Sequence, residues 1–381
     1  MRIAIVSDAW LPQTNGVVRT LRTTAETLRA HGHAVRVVGP DEFVTFACPT
    51  YPEIRLAWFP RAHLDTALRA FAPEAIHIAT EGPLGHSARA WFLERRLPFT
   101  TSYHTQFPEY VDARFHIGTR ITYAYLRRFH GAAARTMVAA PSMQAELEAR
   151  GFRNLVRWGR GVDVELFRPR QKGIWPHARP ISLYFGRVAV EKNVEAFLAL
   201  DLPGTRVVIG DGPARAALER KYPDAVFTGY KFGEDLARHV AAADVCVFPS
   251  RTDTFGLVLL EAMACGLPVA ALPVTGPIDV VRQGVTGVLD EDLRAATLAA
   301  LALDPAACRA QALEHTWEAA TRQFLANLAP LRLDASGERV VERLEQRQQD
   351  PVVVRKARDH EEAPDRKHRA QVLRVLAQRE R

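Results

Sequence analysis

The stretch from Val245 to Leu272, VCVFPSRTDTFGLVLLEAMACGLPVAAL, carries the reading of the fold. Val245–Phe248 is an apolar run of strand length, broken by the polar loop Pro249–Asp253. Thr254 is suited to cap a helix over Phe255–Ala264, Gly266 stops it, and Pro268–Leu272 opens another strand. A strand, a loop, a helix and a strand in such short order form a unit of a parallel sheet covered by helices.

The same alternation extends outward in both directions. Ile181–Phe185, Arg206–Ile209 and Ala225–Thr228 read as strands before it, and Asp279–Gln283 as a helix after it. In the first half, Arg2–Val6, Val35–Val38, Ala75–Ala79, Phe99–Tyr103, Met137–Ala140 and Leu155–Trp158 read as strands, with helices at Val17–Ala30 and Leu84–Arg95. A polar stretch from Arg160 to Gly173 separates the two series. The fold expected is therefore α/β: two doubly wound parallel-sheet domains facing a central cleft, residues 1–165 and 166–330. A helical segment at 305–330, with Trp317, Phe324 and Leu328 on one face, is expected to pack back on the N-terminal domain. The tail 331–381 is rich in Arg, Glu and Gln and reads as disordered or as a solvated helix, a binding arm being the other reading.

Bulk properties bound the function. The chain has 381 residues, more than one hydrophobic core usually supports, and its 48% hydrophobic and 24% charged content is that of a globular protein. The apolar run after Met1 is too short for a signal peptide, and no stretch approaches the ~20 apolar residues of a membrane span. A cytoplasmic protein, at most peripheral on the inner membrane face, is expected. The four cysteines lack the spacing of a disulfide framework or a zinc site. The net charge of +7 admits nucleic acid, anionic lipid or an anionic small substrate as partner.

Residues with chemical potential gather at strand ends. Arg187 follows Ile181–Phe185 directly and Lys192 lies one loop later, where both can reach a pyrophosphate at the carboxyl edge of the sheet; two surface cations are the other reading. Gly210-Asp-Gly-Pro serves either close ligand approach or a simple tight turn. The first amides of the Phe255–Ala264 helix, at Phe255 and Gly256, would face the crevice with the positive helix end. Glu261, set among Leu and Ala, needs a partner, either a ribose diol or a core arginine. Asp253 lies on the loop, eight residues before Glu261, too far along to form an acid–base dyad with it. In the first half, Ser7–Val17 joins strand to helix with Gly16 at the helix start, and His104 sits at another strand end. No G-x-G-x-x-G is present there, which disfavours a nicotinamide site. Cations, backbone amides and a carboxylate together suit a ligand that carries a diphosphate, a ribose, a base and a hexose.

In order and spacing these motifs resemble the retaining glycosyltransferases of family 4, whose two-domain arrangement is called GT-B. The resemblance runs from Met1 to the neighbourhood of Leu328. It rests on Ser7–Val17, His104, Gly161-Val-Asp, Gly186-Arg with Lys192, Gly210-Asp-Gly-Pro, the Asp253-x7-Glu261 block and Gly276-Pro-Ile-Asp-Val-Val. Tyr103–Tyr110 and Thr252–Gly256 are similar to the branch with sulfoquinovosyl-, mannosyl- and glucuronosyl-diacylglycerol enzymes.

The resemblance implies a nucleotide-diphosphate sugar as co-substrate, with Arg187 and Lys192 at its diphosphate and Glu261 at its ribose. It implies Asp253, Thr254, Phe255 and Gly256 at the donor hexose, Gly16 and Gly210 in the nucleotide site, and His104 beside the reacting carbon. Neither a metal nor another cofactor is implied, the cations and helix amides standing in for one. The implied mechanism is front-face attack, with the leaving phosphate taking the acceptor's proton. Two positions depart from the family: Asp253 where Glu is usual, and Asn193 where Gly commonly follows the lysine.

For the acceptor, the segment Tyr110–Arg135 mixes Arg114, Arg120, Arg127 and Arg128 with aromatics. It reads either as a surface for an anionic membrane and a lipid acceptor or as an amphipathic helix packed on its own sheet. The expected activity is hexosyl transfer from a UDP- or GDP-sugar to a membrane lipid such as diacylglycerol. A soluble or polysaccharide acceptor, or a non-catalytic sugar-nucleotide binder, are the alternatives. Nucleic acid is not expected as a partner, since the crevice cations come without stacking aromatics. Base, hexose and oligomeric state are left open.

Overall fold

The computed structural model describes residues 1–331 except Thr14, 49–50 and 110–117. Arg114 and the tail 332–381 therefore lie outside the described residues.

The first sheet has the order β2-β1-β5-β6-β7-β8, all parallel, from β1 (Arg2–Val6), β2 (Ala34–Val38), β5 (Ala75–Ile78), β6 (Thr100–Tyr103), β7 (Arg135–Val138) and β8 (Leu155–Arg157). The second has the order β11-β10-β9-β12-β13-β14, again parallel. Its strands are β9 (Ile181–Phe185), β10 (Thr205–Ile209), β11 (Val226–Phe227), β12 (Val245–Phe248), β13 (Val269–Ala271) and β14 (Gly287–Leu289). Every residue of β9 and of β12 is buried, as helices on both faces of a parallel sheet require.

The strand order reverses between β9 and β12 in the second sheet and between β1 and β5 in the first. Loops leaving the carboxyl ends of such a pair diverge and open a crevice, the usual ligand position in an open α/β sheet. The loops after β9 and β12 carry Gly186–Lys192 and Pro249–Gly256.

The helix after β12 starts at Leu257, not Phe255, and runs to Ala264. Gly256 takes φ +82°, a left-handed backbone that ends the loop and leaves no side-chain cap. The short helix in the Gly276 motif is Pro277–Val280. A two-stranded antiparallel hairpin, β3 (Thr45–Cys48) with β4 (Tyr51–Ala57), stands apart from both sheets and was not expected.

The C-terminal segment is two helices. Pro305–Leu313 packs on helix Leu257–Ala264, and Trp317–Asn327 returns to the N-terminal domain against helix Gly16–Ala30. There the Phe324 ring meets Trp158 at 4.8 Å and His77 at 5.0 Å, and Leu331 N–H donates to the Glu74 carbonyl at 2.8 Å. The chain thus crosses between the domains at the linker and again at this helix. A third tie is Ser142, whose N–H and hydroxyl both donate to the Asp279 carboxylate.

Candidate functional site

The loop after β9 is held by its neighbour after β10. Gly186 N–H donates to the Ile209 carbonyl and Val188 N–H to that of Asp211, at 2.9 and 2.8 Å. Gly210 lies so close that a Cβ there would overlap the Gly186 carbonyl, and a Cβ at Gly212 that of Val188. The Gly210-Asp-Gly turn therefore has a packing reason for its glycines: it braces the backbone that carries Arg187. The Arg187 carbonyl accepts from the Tyr184 hydroxyl at 2.7 Å.

Lys192 ends a short turn, and Asn193 follows in the left-handed region at φ +52°. Asparagine tolerates that conformation, which accounts for its standing where glycine is common. Its amide also donates to the Pro249 carbonyl at 3.0 Å, joining the β9 and β12 loops.

Lys192 Nζ donates to Asp253 Oδ2 at 2.8 Å, and Asp253 Oδ1 accepts from the Phe255 N–H at 3.2 Å. Burial raises the Asp253 pKa, but Lys192 and the Phe255 and Gly256 amides outweigh it and hold the carboxyl below its ordinary range. An ionised aspartate thus covers the amides expected to face the crevice openly. Thr254 is not a cap: its hydroxyl reaches across the cleft and donates to the His104 carbonyl at 2.7 Å.

The His104 ring is fixed on both nitrogens. Arg160 Nη2 lies 3.2 Å from Nδ1, and Ser102 Oγ lies 2.7 Å from Nε2. A guanidinium only donates, so Nδ1 accepts and Nε2 carries the proton. Behind it, Ser102 Oγ lies 3.0 Å from His77 Nε2, His77 Nδ1 lies 3.0 Å from Thr100 Oγ1, and Thr100 donates to the Ile76 carbonyl. His104 donates to Ser102, and the single Ser102 hydroxyl proton is shared between His77 Nε2 and the Ala79 carbonyl 3.3 Å away. Burial, then the Arg160 charge, hold the His104 pKa well below its ordinary value and bring His77 down to about 3, so both rings are neutral. Arg160 is itself buried and donates to the Trp158 and Gly159 carbonyls; burial, then Arg157, push its pKa down to about 9.

Gly16 opens helix Gly16–Ala30, capped by the Asn15 carboxamide, which accepts from Val17 and Val18 N–H. A Cβ at Gly16 would lie 3.7 Å from the Leu257 side chain, so this loop rests on the first turn of the facing domain's helix. One turn on, Arg19 forms an ion pair with Glu261. Glu261 is 3% exposed; burial raises its pKa and Arg19 opposes that. The arginine that partners Glu261 comes from the opposite domain.

Asp8, at the end of β1, is committed to the fold. It accepts from Thr80 Oγ1 and from the Leu84 and Gly85 N–H groups, occupying the amino end of helix Pro83–Glu94.

The structure thus brings Gly16 to Glu261's helix, His104 to Thr254, Lys192 to Asp253, and Gly210 to the Arg187 loop. Sequence reasoning missed Arg19, Arg160 and the exposed, stacked ring pair Tyr230–Phe232, 5.8 Å apart, whose tyrosine hydroxyl donates to the Asp211 carbonyl.

Residues 14–166 match the model described as Glycosyltransferase Family 4, and residues 179–304 the one described as Glycosyl transferases group 1. The chain is 32% identical over 315 residues to the "GDP-mannose-dependent alpha-mannosyltransferase" of Mycobacterium tuberculosis, covering 76% of this chain and 83% of that protein. It belongs to glycosyltransferase family 4. This family-4 transferase is also 33% identical over 287 residues to the sulfoquinovosyl transferase SQD2 of Arabidopsis thaliana, covering 70% of the chain and 56% of that protein.

Among solved structures, sucrose-phosphate synthase from Thermosynechococcus elongatus matches with a TM-score of 0.69 at 24% identity, covering 85% of this chain and 97% of that one. Anabaena HepE in complex with UDP-glucose matches at 0.64 and 17%, covering 86% and 98%. The fold is GT-B, as the sequence suggested, and the protein is a glycosyltransferase that uses a nucleotide sugar.

The segment expected to meet either a membrane or its own sheet does the latter with one face. In helix Thr119–His130, Tyr123, Leu126 and Phe129 are buried in the core. Its other face exposes Arg120, Ile121, Tyr125, Arg127 and Arg128. Among the described residues no helix is long and apolar enough to cross a membrane.

Proposed function

We propose that the enzyme transfers a hexosyl group, with retention, from a UDP- or GDP-sugar to a membrane lipid such as diacylglycerol. The observation that carries the donor half is the junction of Lys192, Asp253 and the Phe255 amide at the switch point of the second sheet. Arg187 and Lys192 take the diphosphate, Glu261 the ribose, and the Tyr230–Phe232 pair offers a face for the base. Asp253, Thr254, Phe255 and Gly256 hold the hexose, with Gly16 against the phosphates and His104 beside the reacting carbon. GDP-mannose is the first donor to try, being the one named for the mycobacterial relative.

His104 is poorly placed for proton transfer, because Nδ1 accepts from Arg160 and the Nε2 proton is directed at Ser102. That favours a mechanism in which the departing diphosphate, held by the cations, takes the acceptor's proton on the same face. The role of His104 is then to shape the sugar pocket and present its carbonyl to Thr254. No metal is required in this reading, since the leaving charge meets Arg187 and Lys192.

The acceptor half is supported by the outer surface of the N-terminal domain. Phe59 is 81% exposed and held at φ +44°, a conformation unfavourable for a bulky side chain, and Trp58 beside it is 55% exposed. With Phe46 and Pro83 they line an apolar pocket of ≈ 330 Å³. Ser87 lines it too, and on the same helix His86 contacts Tyr125, next to Ile121 and the exposed arginines of helix Thr119–His130. Apolar rings among arginines suit the interface of an anionic bilayer.

The test is incubation of purified protein with UDP- and GDP-sugars and a lipid extract, with products read by mass spectrometry. A hexosylated lipid is expected; product only with soluble or polysaccharide acceptors would overturn the lipid assignment.

A further inference from the structure

Arg19 is used by none of the roles above, yet it occupies the carboxylate on which the ribose reading depends. It stands one turn into helix Gly16–Ala30, and its guanidinium lies between two partners: Glu261 in the donor domain, and the ring of Phe167, 5.4 Å away in the segment joining the domains. Glu261 is 3% exposed, so little of its carboxylate is open to an incoming ligand, and the edge toward the N-terminal domain holds Arg19.

We infer that Arg19 is a positioning residue that competes with the nucleotide ribose for Glu261, and that its return to Glu261 promotes release of the spent nucleoside diphosphate. This rests on the proposed contact of Glu261 with ribose.

A buried carboxylate is costly without a partner, so Glu261 must be paired in the empty enzyme as well as in the loaded one. Arg19 pairs it in the empty state and two ribose hydroxyls pair it in the loaded state, so Glu261 need not be left bare during exchange. Arg19 loses the ion pair on loading but keeps the face of Phe167, which holds it ready to return. A ligand that must displace a partner binds more weakly by the free energy of that partner's contact, and it leaves faster for the same reason. Product release limits turnover in many enzymes, so such a competitor raises kcat at the expense of affinity.

The test uses the full-length chain and two probes, GDP or UDP and its 2′,3′-dideoxy analogue. R19Q is expected to bind the ribonucleotide about fivefold or more tightly, with slower dissociation, a lower KM for the donor and a lower kcat. The dideoxy analogue, which cannot use Glu261, should bind R19Q and wild type alike. R19Q binding the ribonucleotide no more tightly than wild type, or binding both probes more tightly by the same factor, overturns the competition. R19K, which keeps the charge but not the planar fork, should fall between, and serves if R19Q does not fold. If wild type binds the two probes equally, the ribose reading itself fails; if it prefers the ribonucleotide and R19Q changes nothing, only the role of Arg19 fails.

Discussion

Lys192 and Asp253 form a salt bridge of 2.8 Å between the loops that follow β9 and β12, and the same aspartate receives the amide of Phe255. One carboxylate therefore ties two loops to the start of helix Leu257–Ala264. D253A should lower stability by about 2 kcal/mol, below the 3–5 typical of a fully buried pair, because Lys192 loses its counter-charge. Urea denaturation of the purified variant measures this. D253E keeps the charge and should recover most of the loss, while its longer side chain shifts hexose preference, read by competition between two donor sugars.

The histidine chain behind the cleft makes stability depend on pH. His77 and His104 have folded pKa values held below the unfolded value of ~6.5, His77 at about 3. Between those values the unfolded chain binds more protons than the folded one, so stability is full above ~6.5 and declines as pH falls. At pH 5 the loss from His77 should reach about 2 kcal/mol, and His104 adds to it in the same direction. Denaturation midpoints at pH 7.5, 6 and 5 would show this decline, and replacing His77 by Gln should shrink it even where the variant is less stable at pH 7.5.

Gly210 tests the bracing of the Arg187 loop. Its φ of +149° and the adjacent Gly186 carbonyl leave no room for a side chain. G210A should cost at least about 2 kcal/mol, visible as a lower thermal midpoint. An unchanged midpoint would mean that the loop yields freely and does not position Arg187.

The architecture was legible because parallel strands buried on both faces are continuous apolar runs, as in β9 and β12. Hairpin β3–β4 escaped because Pro49 and Pro52 interrupt the run that forms it. Thr254 looked like a cap since a threonine before an apolar run usually is one; its hydroxyl instead finds a carbonyl in the other domain, a partner no local pattern reveals. Arg19 and Arg160 escaped for the same reason. The first is one more charged residue on an amphipathic helix and the second one more in a polar stretch, until the fold sets them beside Glu261 and His104.

Membrane contact through Trp58 and Phe59, just beyond β4, is open to a separate test. Replacing Trp58 and Phe59 together by Ser should weaken sedimentation with anionic vesicles about a hundredfold or more, since each ring buried in the interface contributes about 1.5 kcal/mol or more. Nucleotide binding should be unaffected, as these residues lie in the other domain. Equal sedimentation of variant and wild type at low salt would remove this ring pair from the membrane surface.

In the proposed function the nucleotide sugar is bound by the donor-domain residues around Lys192 and Glu261. Calorimetric titration of wild type, K192A and E261A with GDP and UDP tests it most directly. Saturable binding of at least one nucleotide by wild type is expected, weakened about tenfold or more in each variant, through lost diphosphate contact in the first and lost ribose contact in the second. Binding that is unchanged in both folded variants would contradict it.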